Sequence, residues 1–295
     1  MDKLFAPDSF FSKNFYFLAK RFVPGETIAS AVEAVRALNH DGMSATLDYL
    51  GEDVLEREAA VKTRDAYYQM LDAIAAAGVN SNVSVKLTAM GLLIDEDFAL
   101  DNLLGIMEHA RQINPDPFVR IDMEGTPVTE ATLRVFERAL AKFENVGIVL
   151  QAYLKRTPAD VERSIALGAR VRLCKGAYNE PPELAIKHMP GIRTAYLAMA
   201  RELLVRGNYP GMATHDHRLI AAIKDIAERE NVGKERFEFQ MLYGCRPHVQ
   251  HELVAQGYRM RVYVPFGTHW AGYFYRRVLE RRENALFALS SMFSR

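Results

Sequence analysis

Cysteine is nearly missing. Cys174 and Cys245 are the only two in 295 residues, and they form no CxxC pair. That argues against a disulfide scaffold and a cysteine-based zinc site, and two lone thiols fit a reducing compartment. Neither sign of charge is in excess, with 37 basic against 37 acidic residues. Gripping a polyanion needs a basic surplus on one face, so no nucleic-acid partner is expected. No apolar run has the length of a bilayer span. The opening MDKLFAPDSFFSKNFYFLAKRF is broken by charges and Pro7, so it does not read as a signal peptide. Its Phe10, Phe11, Phe15, Phe17 and Phe22 read as a helix packed on the domain. Lys13, Lys20 and Arg21 leave a membrane-surface contact as the alternative. The expected location is the cytoplasm, with peripheral contact at the inner membrane face as an option. No GxGxxG follows the first strand-like run, which speaks against an open dinucleotide-binding sheet.

What is present is core material, 49% apolar, arranged with a regular alternation. A helical stretch, ETIASAVEAVRALNHDG, closes at Gly42. Residues 1–42 therefore read as an N-terminal helical segment and 43–295 as a catalytic β/α domain. Strand-like runs MSATLD, NVSVKLT, PFVRIDMEG, VGIVLQAY, ARVRLCKGAY, GMATHD, FEFQMLYG and MRVYVPFGTH alternate with helical patterns. The helices are expected near 54–77, 97–112, 130–142, from a Thr157-Pro158 cap, and near 191–206, 217–230, 247–256 and 271–281. Eight strand–helix units demand parallel strands with crossover helices. Without a long polar linker, they predict an α/β fold closed as a (βα)8 TIM-type barrel, with the last helix over its mouth.

Such barrels carry chemistry at the C-terminal ends of their strands. Those positions hold Asp48, Lys86, Asp122 and Glu124, Gln151, Arg172 and Lys175. Later strands add Thr214, His215 and Asp216, then Gln240, Tyr263 and His269. One such residue is most simply a cap or a buried ion pair. Recurrence at the same end of successive strands predicts a site, because unpaired polar groups there are costly.

Three constellations bear on its chemistry. Arg276 and Arg277, with Glu280, lie on the last helix and read either as a carboxylate fork or as an exposed basic face. In RLCKGAY, Lys175 suits a Schiff base, a phosphate contact or a cation near an anionic cofactor, and Gly176 permits close backbone approach. In ATHDH, alternation would place His215 and His217 on one strand face as a metal pair, but no matching histidine cluster supports one, so no metal is expected.

Taken in order, VSVKLT, RIDMEG, IVLQAY, RLCKGAY, ATHD, FEFQMLYG, YVPFGTH and YRRVLERREN resemble the proline dehydrogenase family, across about Ser44 to Asn284. Length is similar to the monofunctional bacterial form, without room for an aldehyde dehydrogenase or DNA-binding module. The resemblance implies FAD-dependent oxidation of L-proline to 1-pyrroline-5-carboxylate, with electrons passed to a quinone-type acceptor at a membrane surface. It implies FAD contacts from Gln151, Arg172, Lys175, Gly176, Ala177, Thr214, His215 and Glu280, with backbone near Met123 beside the ring. Lys86, Arg276 and Arg277 would hold the substrate carboxylate, while Tyr178, Leu242 and Tyr263 would wall the pyrrolidine. Asp122 would orient Tyr263 or the cationic cluster, and Glu52 would form a gate with Arg276. Asn179 departs from the tryptophan that bifunctional relatives place against the adenine.

The residues suit that chemistry. Hydride leaves C5 of proline only when the ring nitrogen is neutral, and three cations around the carboxylate would depress the amine pKa. No dedicated base is then required, and none is evident beyond Asp122. Arg172 near flavin N5 would stabilise the reduced ring. The rival readings are a Schiff-base aldolase using Lys86 or Lys175, and a non-catalytic barrel that binds an anionic metabolite.

Overall fold

The computed structural model describes residues 19–113 and 118–274. Its strands are β1 (Ser44–Tyr49), β2 (Ser81–Val85), β3 (Val119–Ile121), β4 (Val146–Gln151), β5 (Arg170–Cys174), β6 (Gly211–Ala213), β7 (Glu238–Leu242) and β8 (Arg259–Phe266). Helix α1 (Ile28–His40) precedes them, and α2 (Arg57–Ala77), α3 (Glu96–Ile113), α4 (Thr126–Leu140), α5 (Thr157–Ala166), α6 (Met189–Arg206), α7 (His217–Arg229) and α8 (Pro247–Ala255) follow β1 to β7 in turn. A further helical turn begins at Trp270 after β8.

All eight strands pair in parallel with their sequence neighbours, and β8 returns to β1 with Thr46 opposite Tyr263, closing the barrel. The physical reason is the one the alternation predicts: each strand is apolar on its helix-facing side, and each helix has one apolar stripe to cover it. Leu47, Val83, Ile121, Ile148, Leu173, Phe239 and Val262 join the helix residues Met70, Leu103, Phe136, Tyr196 and Ile223 in one buried core. Ala31 and Val35 of α1 pack into that same core.

Local chemistry sets the ends. Thr27 and Ser30 form a capping box that starts α1. Gly78, at φ 61°, ends α2 in the left-handed conformation. Two expectations need correction. The 130–142 helix starts earlier, at Thr126, because Pro127 suits a first turn that lacks an N–H partner. Thr157 is not a cap: it lies inside α5, and its hydroxyl donates to the Gln151 carbonyl at 2.6 Å.

A smaller cluster sits on the mouth side of the barrel. Ala19, Phe22 and Val23 pack with Leu50, Trp270, Ala271 and Tyr273. Arg21 Nε donates to the carbonyl of Gly244, just beyond β7, at 3.4 Å. The expected helix carrying Phe10, Phe11, Phe15 and Phe17 lies outside the described residues. Among the described residues, no helix is long and apolar enough to cross a membrane.

Candidate active site

Parallel strands bring their C-terminal ends to one mouth, where β1, β2, β3, β5, β7 and β8 supply a joined polar cluster. Lys86 Nζ lies 2.9 Å and 3.0 Å from the two oxygens of Asp48, and 3.7 Å from Asp122 Oδ2. Asp122 Oδ1 accepts from Ser84 Oγ at 3.0 Å and from Arg172 NH1 at 2.9 Å. Its Oδ2 accepts from the Tyr263 hydroxyl at 2.7 Å. Arg172 also donates from NH1 to Ser84 Oγ at 3.0 Å and from Nε to Gln240 Oε1. Its guanidinium stands 5.2 Å from the Tyr263 ring centroid, a cation–π contact.

The electrostatics of this cluster discriminate between chemistries. Burial pulls the Lys86 ammonium down, but Asp48 and Asp122 outweigh it and hold Lys86 above the ordinary lysine value. A Schiff-base lysine needs a free amine at working pH, so Lys86 is unsuited to aldolase chemistry. Burial raises the Asp48 carboxyl, and the Lys86 ammonium against both of its oxygens opposes that shift. Burial, then Asp122 and Asp48, push the Tyr263 phenol well up, so it stays a donor to Asp122. Two carboxylates and two cations balance here. Lys86, expected to add a third positive charge for a substrate carboxylate, already has Asp48 as its partner.

The β4–β6 side differs in character. Gln151 is engaged at both ends, donating to the Glu124 carbonyl at 3.0 Å and accepting from Ala177 N–H at 3.1 Å. Gly176 has φ 129°, and a Cβ there would lie 2.2 Å from the Tyr153 ring, so glycine is required. Lys175 sits 3.6 Å from Asp216, which also takes Arg193 Nε at 2.7 Å and caps α7. Burial would raise Asp216, but Arg193 and Lys175 outweigh it and hold the carboxyl low. Asp216 is thus a cap and ion-pair residue. Thr214 Oγ1 accepts from the Asp216 N–H at 3.1 Å.

The metal-pair geometry does not form. Strand β6 ends at Ala213, and His217 is the first residue of α7, so the two histidines do not alternate on a strand. His215 Nε2 accepts from the Leu242 N–H at 2.9 Å, which commits that nitrogen and fixes the proton on Nδ1. Among the described residues, no group of three or more potential ligands is placed to hold a metal.

Glu124 turns away from the cluster. Its Oε1 accepts from Thr88 N–H at 3.1 Å and its Oε2 from the Thr88 hydroxyl. Thr88 Oγ1 in turn accepts from Asp53 N–H at 3.0 Å, tying down the loop after β1 that carries Glu52. Burial pushes the Glu124 carboxyl up to about 7. Met123 is buried, Glu52, Tyr178 and Leu242 are half-buried at the mouth, and Ala177 is exposed. His269 is exposed and separate from the cluster. Burial pushes the Cys174 thiol up to about 12, consistent with an inert packing residue. Arg276, Arg277 and Glu280 lie outside the described residues.

Ser84 was missed by sequence reasoning, although it stands two residues before Lys86 and so on the same strand face. Glu180 was missed too: it accepts from Thr126 N–H at 2.8 Å and from the Thr126 hydroxyl, joining the loop after β5 to the start of α4.

Comparison with known proteins finds relatives over most of the chain. Residues 31–289 match the family model described as proline dehydrogenase. The chain is 42% identical over 274 residues to proline dehydrogenase 1 of Bacillus subtilis (strain 168), covering 93% of this chain and 90% of that protein. It is 39% identical over 280 residues to the proline dehydrogenase of Deinococcus radiodurans, again covering 93% of this chain and 90% of the relative. Among solved structures, proline utilization A from Bdellovibrio bacteriovorus, inactivated by N-propargylglycine, superposes with a TM-score of 0.84 at 29% identity. That match covers 91% of this chain but only 33% of the longer protein.

Proposed function

This chain belongs to the proline dehydrogenase family, and from that premise we propose that it oxidises L-proline to 1-pyrroline-5-carboxylate, the first step of proline catabolism to glutamate, with FAD as cofactor. The observation that carries the reading is the fixed guanidinium of Arg172, tied to Asp122 and Ser84 on one side and Gln240 on another, beside the Lys86–Asp48 pair.

The β4–β6 side fits a flavin nucleotide by its donor set. Lys175 and Arg193 bring positive charge suited to a diphosphate, and Asp216 is already shared between them. The Gln151 amide and Arg172 are the polar groups suited to a ring system. Gln151, Arg172, Lys175, Gly176, Ala177, Thr214, His215 and Glu280, with backbone near Met123, would hold the cofactor. When bound, FAD would supply the two-electron acceptor for the hydride that leaves C5 of proline.

The chain's own residues prepare the substrate. Lys86, Arg276 and Arg277 would bind its carboxylate, and Tyr178, Leu242 and Tyr263 would enclose the ring. Because Asp48 balances Lys86, lowering of the bound amine pKa falls mainly to Arg276 and Arg277. Asp122 receives three hydrogen bonds, which suits an orienting role for Tyr263 and Arg172 better than that of a base. Glu52 would close over bound substrate with Arg276. Electrons would pass on to a quinone-type acceptor, with the protein in the cytoplasm and at most peripheral on the membrane.

The test is direct. Purified protein should be yellow, and its flavin band should bleach when L-proline is added without oxygen. A flavin-free protein, or a flavin that proline does not reduce, overturns the reading.

A further inference from the structure

Below the mouth cluster, a buried polar line continues down the barrel. Gln240 Nε2 donates to Glu238 Oε1 at 2.6 Å. Glu238 Oε1 also accepts from Arg261 Nε at 2.7 Å, and its Oε2 from the Tyr209 hydroxyl at 3.2 Å. Arg261 is anchored in turn by NH1 on the Ala45 carbonyl at 2.7 Å. Arg172, Gln240 and Glu238 are each at most 5% exposed. The line thus runs from Arg261 through Glu238, Gln240 and Arg172 to Asp122 and Tyr263.

Chemistry fixes the sense of every link. A carboxylate only accepts and a guanidinium only donates. The Gln240 amide must therefore turn its NH2 end to Glu238 and its oxygen to Arg172. Space for it comes from a missing side chain. Gly211 of β6 stands opposite Arg172 of β5 on one side and Glu238 of β7 on the other. A Cβ at Gly211 would lie 2.4 Å from Gln240 Nε2. A neutral amide also has an advantage over a second acid. It grips Arg172 Nε without cancelling the guanidinium charge, and it does not repel Glu238.

We propose that Gln240, oriented by Glu238 and admitted by Gly211, is a positioning residue that sets the plane of the Arg172 guanidinium toward the bound flavin. Nε and NH1 lie at different corners of that plane, so holding both stops its rotation and fixes the direction of the remaining N–H groups. Arg172 would then meet the reducing ring without reorganising, which is where a fixed donor has its value. This rests on the reading given above for Arg172 and deepens it.

The test compares wild type with Q240M, Q240A, G211A and the G211A/Q240A double variant, all loaded with FAD. In Q240M, which keeps volume and loses both amide bonds, kcat with proline should fall about 10–100-fold with KM within about threefold. The flavin midpoint potential, measured by dye-coupled titration, should move negative. G211A should reproduce both effects, and adding it to Q240A should change little, since the displaced side chain is already gone. Fully additive effects in that cycle, or a Q240M protein with wild-type kcat and potential, overturns the inference while a proline-reducible wild type leaves the functional reading standing. A wild type that carries no flavin overturns both.

Discussion

Lys86, just past β2, and Asp48 of the adjacent β1 meet through both carboxylate oxygens, at 2.9 Å and 3.0 Å. The ammonium is therefore committed to a protein carboxylate before any ligand arrives. Removing one partner of such a buried pair leaves the other uncompensated, at a cost of about 3–5 kcal/mol. In K86M, Asp48 loses the charge that lowers its pKa, while burial continues to raise it. A carboxyl whose folded pKa lies above its unfolded one stabilises below the unfolded value and loses that stability as pH rises. K86M should therefore unfold more easily than wild type in urea, with a wider gap at pH 8 than at pH 5. An equal gap at both pH values would contradict an unpaired Asp48.

Glu124 makes a second pH prediction. Burial holds its carboxyl at about 7, against an ordinary 4.5. It is protonated in both folded and unfolded chains below about pH 4.5, so its cost appears as pH rises through that value and levels off above 7. The total is about 3 kcal/mol, from 1.36 kcal/mol per pKa unit. The stability of E124Q relative to wild type should rise by about 2–3 kcal/mol between pH 5 and pH 8. Denaturant melts of the two proteins at both pH values check this, and a constant difference would refute it.

Asp122 is the obvious candidate base, and the proposed chemistry does without one. The expected kcat/KM for proline rises with pH through a single proton loss, assigned to the substrate amine. In D122N the rate should fall, because Tyr263 loses its acceptor and Arg172 its counter-charge. The rising limb should persist. Its disappearance in D122N would make Asp122 the base.

At Gly176 the backbone itself is the constraint. With φ 129° and the Tyr153 ring 2.2 Å from a would-be Cβ, alanine must displace either the loop or the ring. G176A should bind FAD about 5–150-fold more weakly, as about 1–3 kcal/mol of backbone strain implies. Fluorescence quenching of free FAD measures this, and unchanged affinity would remove the 175–177 backbone from the cofactor site.

Tyr263 offers a specificity test. Its ring is held by Asp122 through a 2.7 Å bond, so it cannot easily swing aside for a hydroxyl on the substrate ring. Proline should outpace hydroxyproline in kcat/KM, and Y263S should narrow the ratio. Equal turnover of both substrates by wild type would contradict the role.

Strand count, order and closure were legible in the sequence because each strand is an apolar run flanked by one helical stripe. The polar interruptions were legible for the same reason: Asp48, Lys86 and Asp122 stand within one residue of their strand ends, and Arg172 and Tyr263 two and three residues before theirs. Pairing was not. Nothing in the sequence says that Lys86 chooses Asp48, since the bond spans two strands whose register is set by barrel closure. Gln240 was legible only as one of the polar strand positions, because its partners Glu238 and Arg172 become neighbours only across the short β6. That His215 and His217 share no strand face was hidden for a related reason, since the spacing says nothing of where β6 stops.

Glu180 leaves a last consequence. By accepting both the amide and the hydroxyl of Thr126, it makes the exit loops of β3 and β5 a single mechanical part. Loops on barrels of this kind are usually the units by which new specificities are grafted, one at a time. Here a transplant of either loop alone would leave a buried acid without its donors or a helix start without its acceptor. Chimeras with relatives should exchange the two loops together.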